Sequence, residues 1–576
     1  MASFVSTADA SRVVSFRETL LTPIPSPGAL WVPKHVDPVE FKQGPLWLCV
    51  AQVLRAVTGT NLDACCKRAL ADFPVHLDWL ESDLLVLDLS RGPTLSFKDV
   101  GCRVAAGLHR QLEIRQPVVV ATSGDTGGAA AAAGFEDVCV LYPEGKVSKF
   151  QERQFHDSAA GATKHRAVAL AVSADFDACQ RIAKDALAAM PTSGLVSCNS
   201  VSLARLLPQA GYYVWAAQQL RKVSGGRKPT FVVPSGNFGN AAACLLALRL
   251  GAPIAGVHLA CNENGRRFVG CLKRGDFRCY VAGPTVQTPA TAMDVGSPSN
   301  LPRLLRWIGD DWHLASASVT TSDRIRELQS AQVCPHTACA LDAARHLQKA
   351  GLHPVVVRTA DAVKFQPLPN AAAAFSRAPL MLRNPKFLRC RTRVRSLLLV
   401  GMPGTGKSTL ARLAGGVDGD AEMCQNHGAT ALAEVVKKYK TPGAFFRYEG
   451  RTLMSLLGQP DDHVHIVASG GSALHSAELR QYLKTCEPSV LVVHLTRADS
   501  TTPATVASWA RRGVVVPEEL AHKSPQEIAA FRAAQYEAFA HVEIRTDCGW
   551  TPKRTADALL RLVSFHLARL RSALPI

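Results

Sequence analysis

Short, almost wholly apolar runs recur along the chain, each followed by a loop of small residues and then by apolar positions at helical spacing. Leu84 to Leu89, Pro117 to Ala121, Val138 to Tyr142, Thr230 to Pro234 and Pro354 to Arg358 are runs of this kind. Their length and Val/Leu content predict strands buried on both faces. Asp99 to Leu112, the stretch from 167 to 190 in part, Ser202 to Leu220 and Ala241 to Leu250 carry the helical spacing. Residues 13–35 mix a short amphipathic run with a Pro/Gly turn, and residues 38–84 read as several short helices. Repeated strand, loop and helix predict an α/β fold with parallel sheets, whose ligands bind off the carboxyl ends of the strands. Residues 366–395 break the pattern with prolines, an alanine run and a basic cluster, as a linker does. The apolar run Ser396 to Val400 then opens a second unit.

Three loops in the first unit carry candidate chemistry. Gly92-Pro93-Thr94-Leu95-Ser96-Phe97-Lys98-Asp99 puts one lysine where a turn enters a helix. Thr122, Ser123, Gly124, Asp125, Thr126 and Gly127 follow a strand and precede an Ala-rich helix, an arrangement that offers free amides to an anion. Ser235, Gly236, Asn237, Phe238, Gly239 and Asn240 stand at the mouth of another helix, where successive N–H groups can wrap a phosphate. A plain tight turn remains an alternative for the second of these loops.

Eight segments in order, GPTLSFKD, ATSGDTGG, LYPEGKVSKFQERQ, NSVSLARLLPQ, VVPSGNFGN, TAMDVGSPSN, CPHTA and TADAVKF, resemble threonine synthase. The likeness runs from about Val13 to Phe365. It implies a fold-type-II, tryptophan synthase β-like fold that binds pyridoxal 5'-phosphate, with an N-terminal part over 1–90 and the catalytic part over 91–365. The resemblance makes Lys98 the covalent anchor of the cofactor and the catalytic base. The loop Ser235 to Asn240 would hold the cofactor phosphate and Thr359 would face the pyridine nitrogen. Thr122 to Gly127 would take the substrate carboxylate, and Lys146, Ser148, Gln151, Asn199 and Arg205 the substrate phosphate. The implied reaction turns O-phosphohomoserine and water into threonine and phosphate. Five positions depart from the family pattern: Arg91 for His, Ser202 for Asn, Gly265 for Asp, Cys334 for an acidic residue and Asp361 for His. These changes are expected among groups around the substrate. They leave two alternatives: a lyase giving 2-oxobutyrate, or a catalytically weakened regulatory protein that binds cofactor and nucleotide.

In the second unit, over 396–576, Gly401, Gly404, Thr405, Gly406, Lys407, Ser408 and Thr409 belong to a full GxxxxGK[ST] loop between a strand and a helix. That context identifies a P-loop for Mg-ATP, with Lys407 at the β/γ-phosphate oxygens and Ser408 at magnesium. The remainder resembles shikimate kinase. The resemblance gives Asp418 to magnesium, Asp420, Gly470, Gly471 and Arg532 to the acceptor substrate, and Arg447 to its carboxylate. Tyr536 matches the same helix as Arg532. Arg511 and Arg512 fall in the region of the family's lid.

Composition changes this picture little. The 576 residues exceed one core and suggest three or four folding units. Hydrophobic content of 47% and charged content of 19% are those of a globular protein, and no apolar run reaches membrane-spanning length. The 17 cysteines show no CxxC pair or zinc spacing and read as reduced thiols in a cytoplasmic setting, with a short organellar leader left open. The net charge of +18 forms no aromatic-interleaved patch, so small phosphorylated substrates are expected rather than nucleic acid. Monomer and homodimer stay equally open.

Overall fold

The computed structural model describes the chain except residues 1, 82, 161–165, 190–193, 224–225, 279, 331, 367–378, 385–387, 389–393, 460–463, 487–488, 499–514, 548–549 and 572–576. Two compact units form, Met1–Ala167 with Ala174–Ala374, and Val168–Ser173 with Phe375–Ile576.

The first unit is built on a six-stranded sheet. Its order is Ala315–Val319, Gly256–Cys261, Thr230–Pro234, Pro354–Arg358, Leu84–Asp88 and His76–Glu81. The first five strands are parallel and the last is an antiparallel edge. Val232, Val233, Leu259, Val356 and Leu87 are fully buried, so continuous apolar runs are what both faces of the sheet require. A second parallel group joins Val196–Ser197, Val118–Ala121 and Asp137–Pro143. The strands ending in the cofactor and substrate loops are thus the ones expected. Sequence reading missed His76–Glu81, Gly256–Cys261 and Ala315–Val319. His76–Glu81 is short, half-exposed and polar, so its period was hidden among the helices of residues 38–84.

Position 90 is no break in this unit, because Leu84–Asp88 pairs with Pro354–Arg358 in one sheet. The N-terminal strands Phe4–Ser6, Val13–Val14 and Trp31–Pro33 form their own small antiparallel sheet. Buried Arg303 ties it to the cleft floor, donating to the Trp31, Ser200 and Val201 carbonyls at 2.9, 2.7 and 2.7 Å. Those three carbonyls have no water to turn to, so a guanidinium with five donors satisfies them together.

The second unit has a parallel sheet in the order Val417–Asp418, His465–Ala468, Ser396–Gly401, Val490–Thr496 and Val542–Arg545. Leu380–Leu382 adds an antiparallel strand to Val542–Arg545. Within the stretch expected as a linker over 366–395, Leu380, Met381 and Leu382 are buried, and this apolar triplet pairs with a free strand edge. Much of the rest of that stretch lies outside the described residues, as do Arg511 and Arg512. No helix among the described residues is long and apolar enough to cross a membrane.

Candidate active site

The Gly92 to Asp99 stretch is held from two sides. Leu95 takes a left-handed backbone, φ 58°, closing a turn in which its N–H donates to the Gly92 carbonyl at 2.9 Å. Asp99 fastens the turn from within: Thr94 donates through its N–H at 2.9 Å and its hydroxyl at 2.5 Å. Gly92 is obligatory here, since a Cβ would stand 2.5 Å from the Asp99 carboxylate. From outside, the end of Pro354–Arg358 pins the stretch. Phe97 donates to the Thr359 carbonyl at 2.9 Å and Asp361 to that of Leu95 at 3.1 Å. Lys98 therefore starts its helix, Lys98–Gln111, at a fixed place beside Thr359.

The Lys98 Nζ lies 3.1 Å from Asp125 Oδ2 and 4.7 Å from the Phe97 ring centre. Lys364 Nζ meets the other Asp125 oxygen at 2.8 Å and donates to the Thr94 carbonyl at 2.7 Å. Gln151 Nε2 donates to the same Asp125 oxygen at 2.8 Å. Burial alone would raise the Asp125 pKa, but Lys364 and then Lys98 override it and hold the carboxyl well below its usual range. Burial lowers Lys98, with Asp125 opposing, so its amine is freed more readily than that of a surface lysine. His336 is buried beside them and pushed down to about 4 by burial, so it is neutral near pH 7.

Lys98 opens onto a cleft lined by Ser123, Asp125, Thr126, Asn199, Arg205, Gly236 to Asn240, His336 and Thr359. Opposite the lysine, Gly239–Arg249 begins a helix with Phe238 at φ 59° as its cap. A left-handed phenylalanine costs about 1–2 kcal/mol, and the ring recovers part of it by packing 4.3 Å from Phe268. Among the described residues the amides of Gly236 to Asn240 have no hydrogen-bond partner, and Asn240 Nδ2 is buried and unpartnered. Asn240 is aimed by Tyr212 and Tyr213, whose hydroxyls donate to its Oδ1 at 2.5 and 2.8 Å. Gly236 has no room for a side chain, with the Met293 Cα 2.6 Å from where a Cβ would sit. Five free amides and an amide side chain around one point suit a phosphate dianion. With a lysine across the cleft, the residues present fit pyridoxal phosphate.

Several expected substrate contacts are used elsewhere. Asn199 spends both ends of its amide on Ala121, accepting from its N–H at 3.0 Å and donating to its carbonyl at 2.6 Å. It terminates the strand Val118–Ala121 and at the same time lines the cleft. Gln151 braces Asp125, and Gly124 lacks a Cβ so that the Gln151 amide can pass. Thr122 is buried in its own loop, accepting from the amides of Gly124 and Gly127 at 3.0 Å. Lys146 is exposed, and Ser148 accepts from the Gln151 N–H at 3.2 Å; neither lines the cleft. Arg205 does line it, donating to the Cys198 carbonyl at 2.9 Å with its Nε left unpartnered.

None of the five departures lines the cleft, contrary to expectation. Arg91 pairs with Asp88 at 2.9 Å and Asp78 at 3.4 Å. Ser202 is a buried turn residue donating from its backbone to Asn199. A Cβ at Gly265 would collide with Cys261, 2.4 Å away, so the smaller residue fits its neighbour. Cys334 caps the helix Pro335–Lys349 through Thr337, and Asp361 caps Ala362–Phe365 through Val363. Lys364 and His336 went unassigned in the sequence although both lie in quoted segments. A lysine wholly buried in an apolar stretch is the signal that marks Lys364.

In the second unit, the strand Ser396–Gly401 delivers the loop to the helix Lys407–Leu413, with Gly404 and Gly406 left-handed at φ 85° and 92°. Lys407 Nζ folds back onto the carbonyls of Gly401 and Met402 at 2.8 and 3.0 Å. Burial pushes its pKa down to about 8. Asp418 accepts from the Asp420 N–H at 3.1 Å and caps Gly419–Asn426. Gly470 faces Glu449 and Asp420, and Gly471 packs on Pro403 near Arg532. Arg532 donates to His475 Nε2 at 3.2 Å, and Tyr536 to the Gly471 carbonyl. Arg447 is exposed on Pro442–Leu457, while Phe446 and Glu449 share that helix's buried face. A helix places positions three apart on one side, so the residue one turn before Glu449 is Phe446.

Burial, with Asp420 adding, pushes Glu449 up to about 8, and Ser472 donates to it at 2.8 Å. Its folded value is above its unfolded one, so its contribution is full in acid and is lost as pH rises through about 8. The melting midpoint of the second unit is expected to fall by about 5–10 °C between about pH 5 and 9, and Glu449→Gln to flatten that slope. Calorimetry of the full chain reads this; a slope that persists in the variant assigns it to other groups.

Residues 74–357 match the family model described as pyridoxal-phosphate dependent enzyme, and residues 403–562 that of shikimate kinase. The chain is 36% identical over 348 residues to threonine synthase of Serratia marcescens, covering 54% of this chain and 78% of that protein. The crystal structure of threonine synthase from Escherichia coli superposes with a TM-score of 0.56 at 30% identity, over 63% of this chain and 89% of that one. The pyridoxal-phosphate-bound threonine synthase from Brucella melitensis gives 0.55 at 27% identity, over 63% and 90%.

Proposed function

Since the chain belongs to the threonine synthase family of pyridoxal-phosphate-dependent enzymes, with a shikimate kinase domain behind it, we propose that its first unit makes threonine and phosphate from O-phosphohomoserine and water. The observation that carries this reading is Lys98 held against Asp125 and Lys364, across a cleft from five unpartnered amides. Bound pyridoxal phosphate supplies the electron sink that lets protons leave carbon at neutral pH.

The chain's own residues do the rest. The amides of Gly236 to Asn240 and the Asn240 side chain would hold the cofactor phosphate, and Thr359 would offer the ring a neutral hydroxyl. Lys98, with its basicity lowered by burial, takes and returns protons at the substrate α and β carbons. Asp125 steadies the Lys98 ammonium whenever it is protonated, and Lys364 keeps Asp125 ionised throughout. Ser123, Thr126 and the first amides of the helix Asp125–Ala132 take the substrate carboxylate, and Arg205 the leaving phosphate. That the five departures have structural tasks outside the cleft, as an ion pair, helix caps, a buried turn and a close contact, favours threonine over 2-oxobutyrate. The test is a product assay on the cofactor-loaded full chain fed O-phosphohomoserine. Threonine with equimolar phosphate is expected; 2-oxobutyrate, or no turnover, would sink the reading.

For the second unit we infer Mg-ATP binding. The loop from Gly401 to Thr409 cradles the phosphates, Lys407 turns from the Gly401 and Met402 carbonyls to the β/γ oxygens, and Ser408 and Asp418 serve magnesium.

A further inference from the structure

A second cavity in the first unit, of about 690 Å³, shares no lining residue with the Lys98 cleft. One wall is Thr22 to Leu30, in which Pro23, Pro25 and Pro27 fix the backbone and Gly28 turns it at φ 77°. The other wall is the helix Phe176–Ala189, which presents Arg181, Lys184, Asp185 and Ala188 at helical spacing. Ser297 to Ser299 and Leu301 close the floor. The lining is mostly aliphatic and prolyl, and its size lies within the range of small-molecule sites.

The charges around this apolar space do not balance. Arg12, Arg181 and Lys184 line it against the one carboxylate of Asp185. Arg12 donates to the Pro25 carbonyl at 2.9 Å and lies over Trp31, which fixes one cation at the rim. Lys184 is half-buried, and its only hydrogen bond among the described residues is a long one, 3.4 Å, to the Ser299 hydroxyl. Burial lowers its pKa, with the Asp177 carboxylate opposing.

Ser299 lines this cavity and is hydrogen-bonded to Asn237, which lines the Lys98 cleft. Its hydroxyl donates to Gln180 at 3.1 Å on the helix that walls the second cavity. Its amide donates to Asn237 Oδ1 in the cofactor-phosphate loop, and the next residue, Asn300, donates to the Asn237 carbonyl at 3.2 Å. A group that draws Lys184 away from Ser299 therefore acts on the seat of the phosphate loop.

We propose that this cavity is a regulatory site for a small molecule with an apolar body and one anionic group, sensed at the cofactor loop through Ser299. The anion pairs with Lys184 and Arg181, and the body fills the space between the prolines and Leu187. The coupling half rests on the reading of Ser235 to Asn240 as the cofactor-phosphate loop; the binding half does not.

Anilinonaphthalene sulfonate, an aromatic sulfonate, is the probe. It is titrated by fluorescence into the borohydride-treated full-length holoenzyme with excess Mg-ATP, so that neither the Lys98 cleft nor the P-loop is free to take it. One saturable site per chain is expected, weakened by about tenfold or more in Lys184→Met and in the cavity-filling Ala188→Trp. In the wild type the phosphorus NMR resonance of the bound cofactor should shift as the probe saturates, and in Ser299→Ala it should not. Circular dichroism checks the folding of each variant, and Lys184→Met, half-exposed, carries the test if the tryptophan disrupts packing. Unsaturable binding, or affinity unchanged in Lys184→Met, overturns the site. A resonance that never shifts, or shifts equally in Ser299→Ala, overturns the coupling. A chain that holds no cofactor fails the proposed function instead, and the fluorescence titration still reads the site.

Discussion

Lys98→Ala is expected to purify as a folded but colourless protein, with turnover of O-phosphohomoserine down by at least about 10²–10⁴-fold, the range of one lost acid–base group. Loss of the cofactor's anchor adds to that. The variant should still fold, because the Lys98 side chain carries little of the packing there. Asp99, Thr94 and the Phe97 to Thr359 backbone bond hold the stretch without it. Asp125 keeps Lys364 and Gln151 as partners. Absorbance of wild type and variant, each supplied with cofactor, makes the comparison. A yellow Lys98→Ala protein that bleaches with borohydride would move the anchor to another lysine, and Lys364 is the one other lysine bonded to Asp125.

The second large effect is expected at that residue. Lys364→Met should lower the stability of the first unit by about 3–5 kcal/mol, the range for removing one member of a buried ion pair. Lys364 Nζ is fully buried between Asp125 and the Thr94 carbonyl, and methionine nearly matches its shape without its charge. The loss should be greater with cofactor bound, since Lys98 is then engaged and Asp125 has only Gln151 left. Asp125 has a folded pKa below its unfolded one, so the pair contributes fully above about pH 4 and is lost as pH falls further. The difference between wild type and variant should therefore shrink in acid. Calorimetry of the full chain, with the two units' transitions resolved, reads the effect. An unchanged first-unit midpoint would show that Asp125 needs no second cation.

These two residues divide what can be read without coordinates. Lys98 is legible because it sits in a run of motifs whose order repeats a known family. Lys364 sits in one of the same motifs, yet its meaning depends on a carboxylate some 240 positions away by subtraction of 125 from 364. Asn199 shows the reverse. It reads as a substrate contact, and the fold gives its amide a second task, bonding both backbone groups of Ala121 at a strand end. At Arg447, helix phase leaves the arginine exposed and buries its neighbour Phe446.

The chain's own order of apolar runs and small-residue loops determines two α/β units, the lysine at 98 and the small-residue loops at 235–240 and 401–409 for which phosphate binding is proposed. Each of these is local: a strand, a turn needing glycine and a helix start lie within about ten residues, and the amides that bind phosphate belong to that same stretch. Tertiary structure alone decides which charges meet. Asp125 gathers Lys98, Lys364 and Gln151 from three separate segments, the five unusual residues fall outside the cleft lining, and Ser299 on the second cavity comes to be bonded to Asn237 of the first. Those outcomes depend on how the strands are ordered in the sheet and on which face of each helix is buried, and neither is written in any one segment.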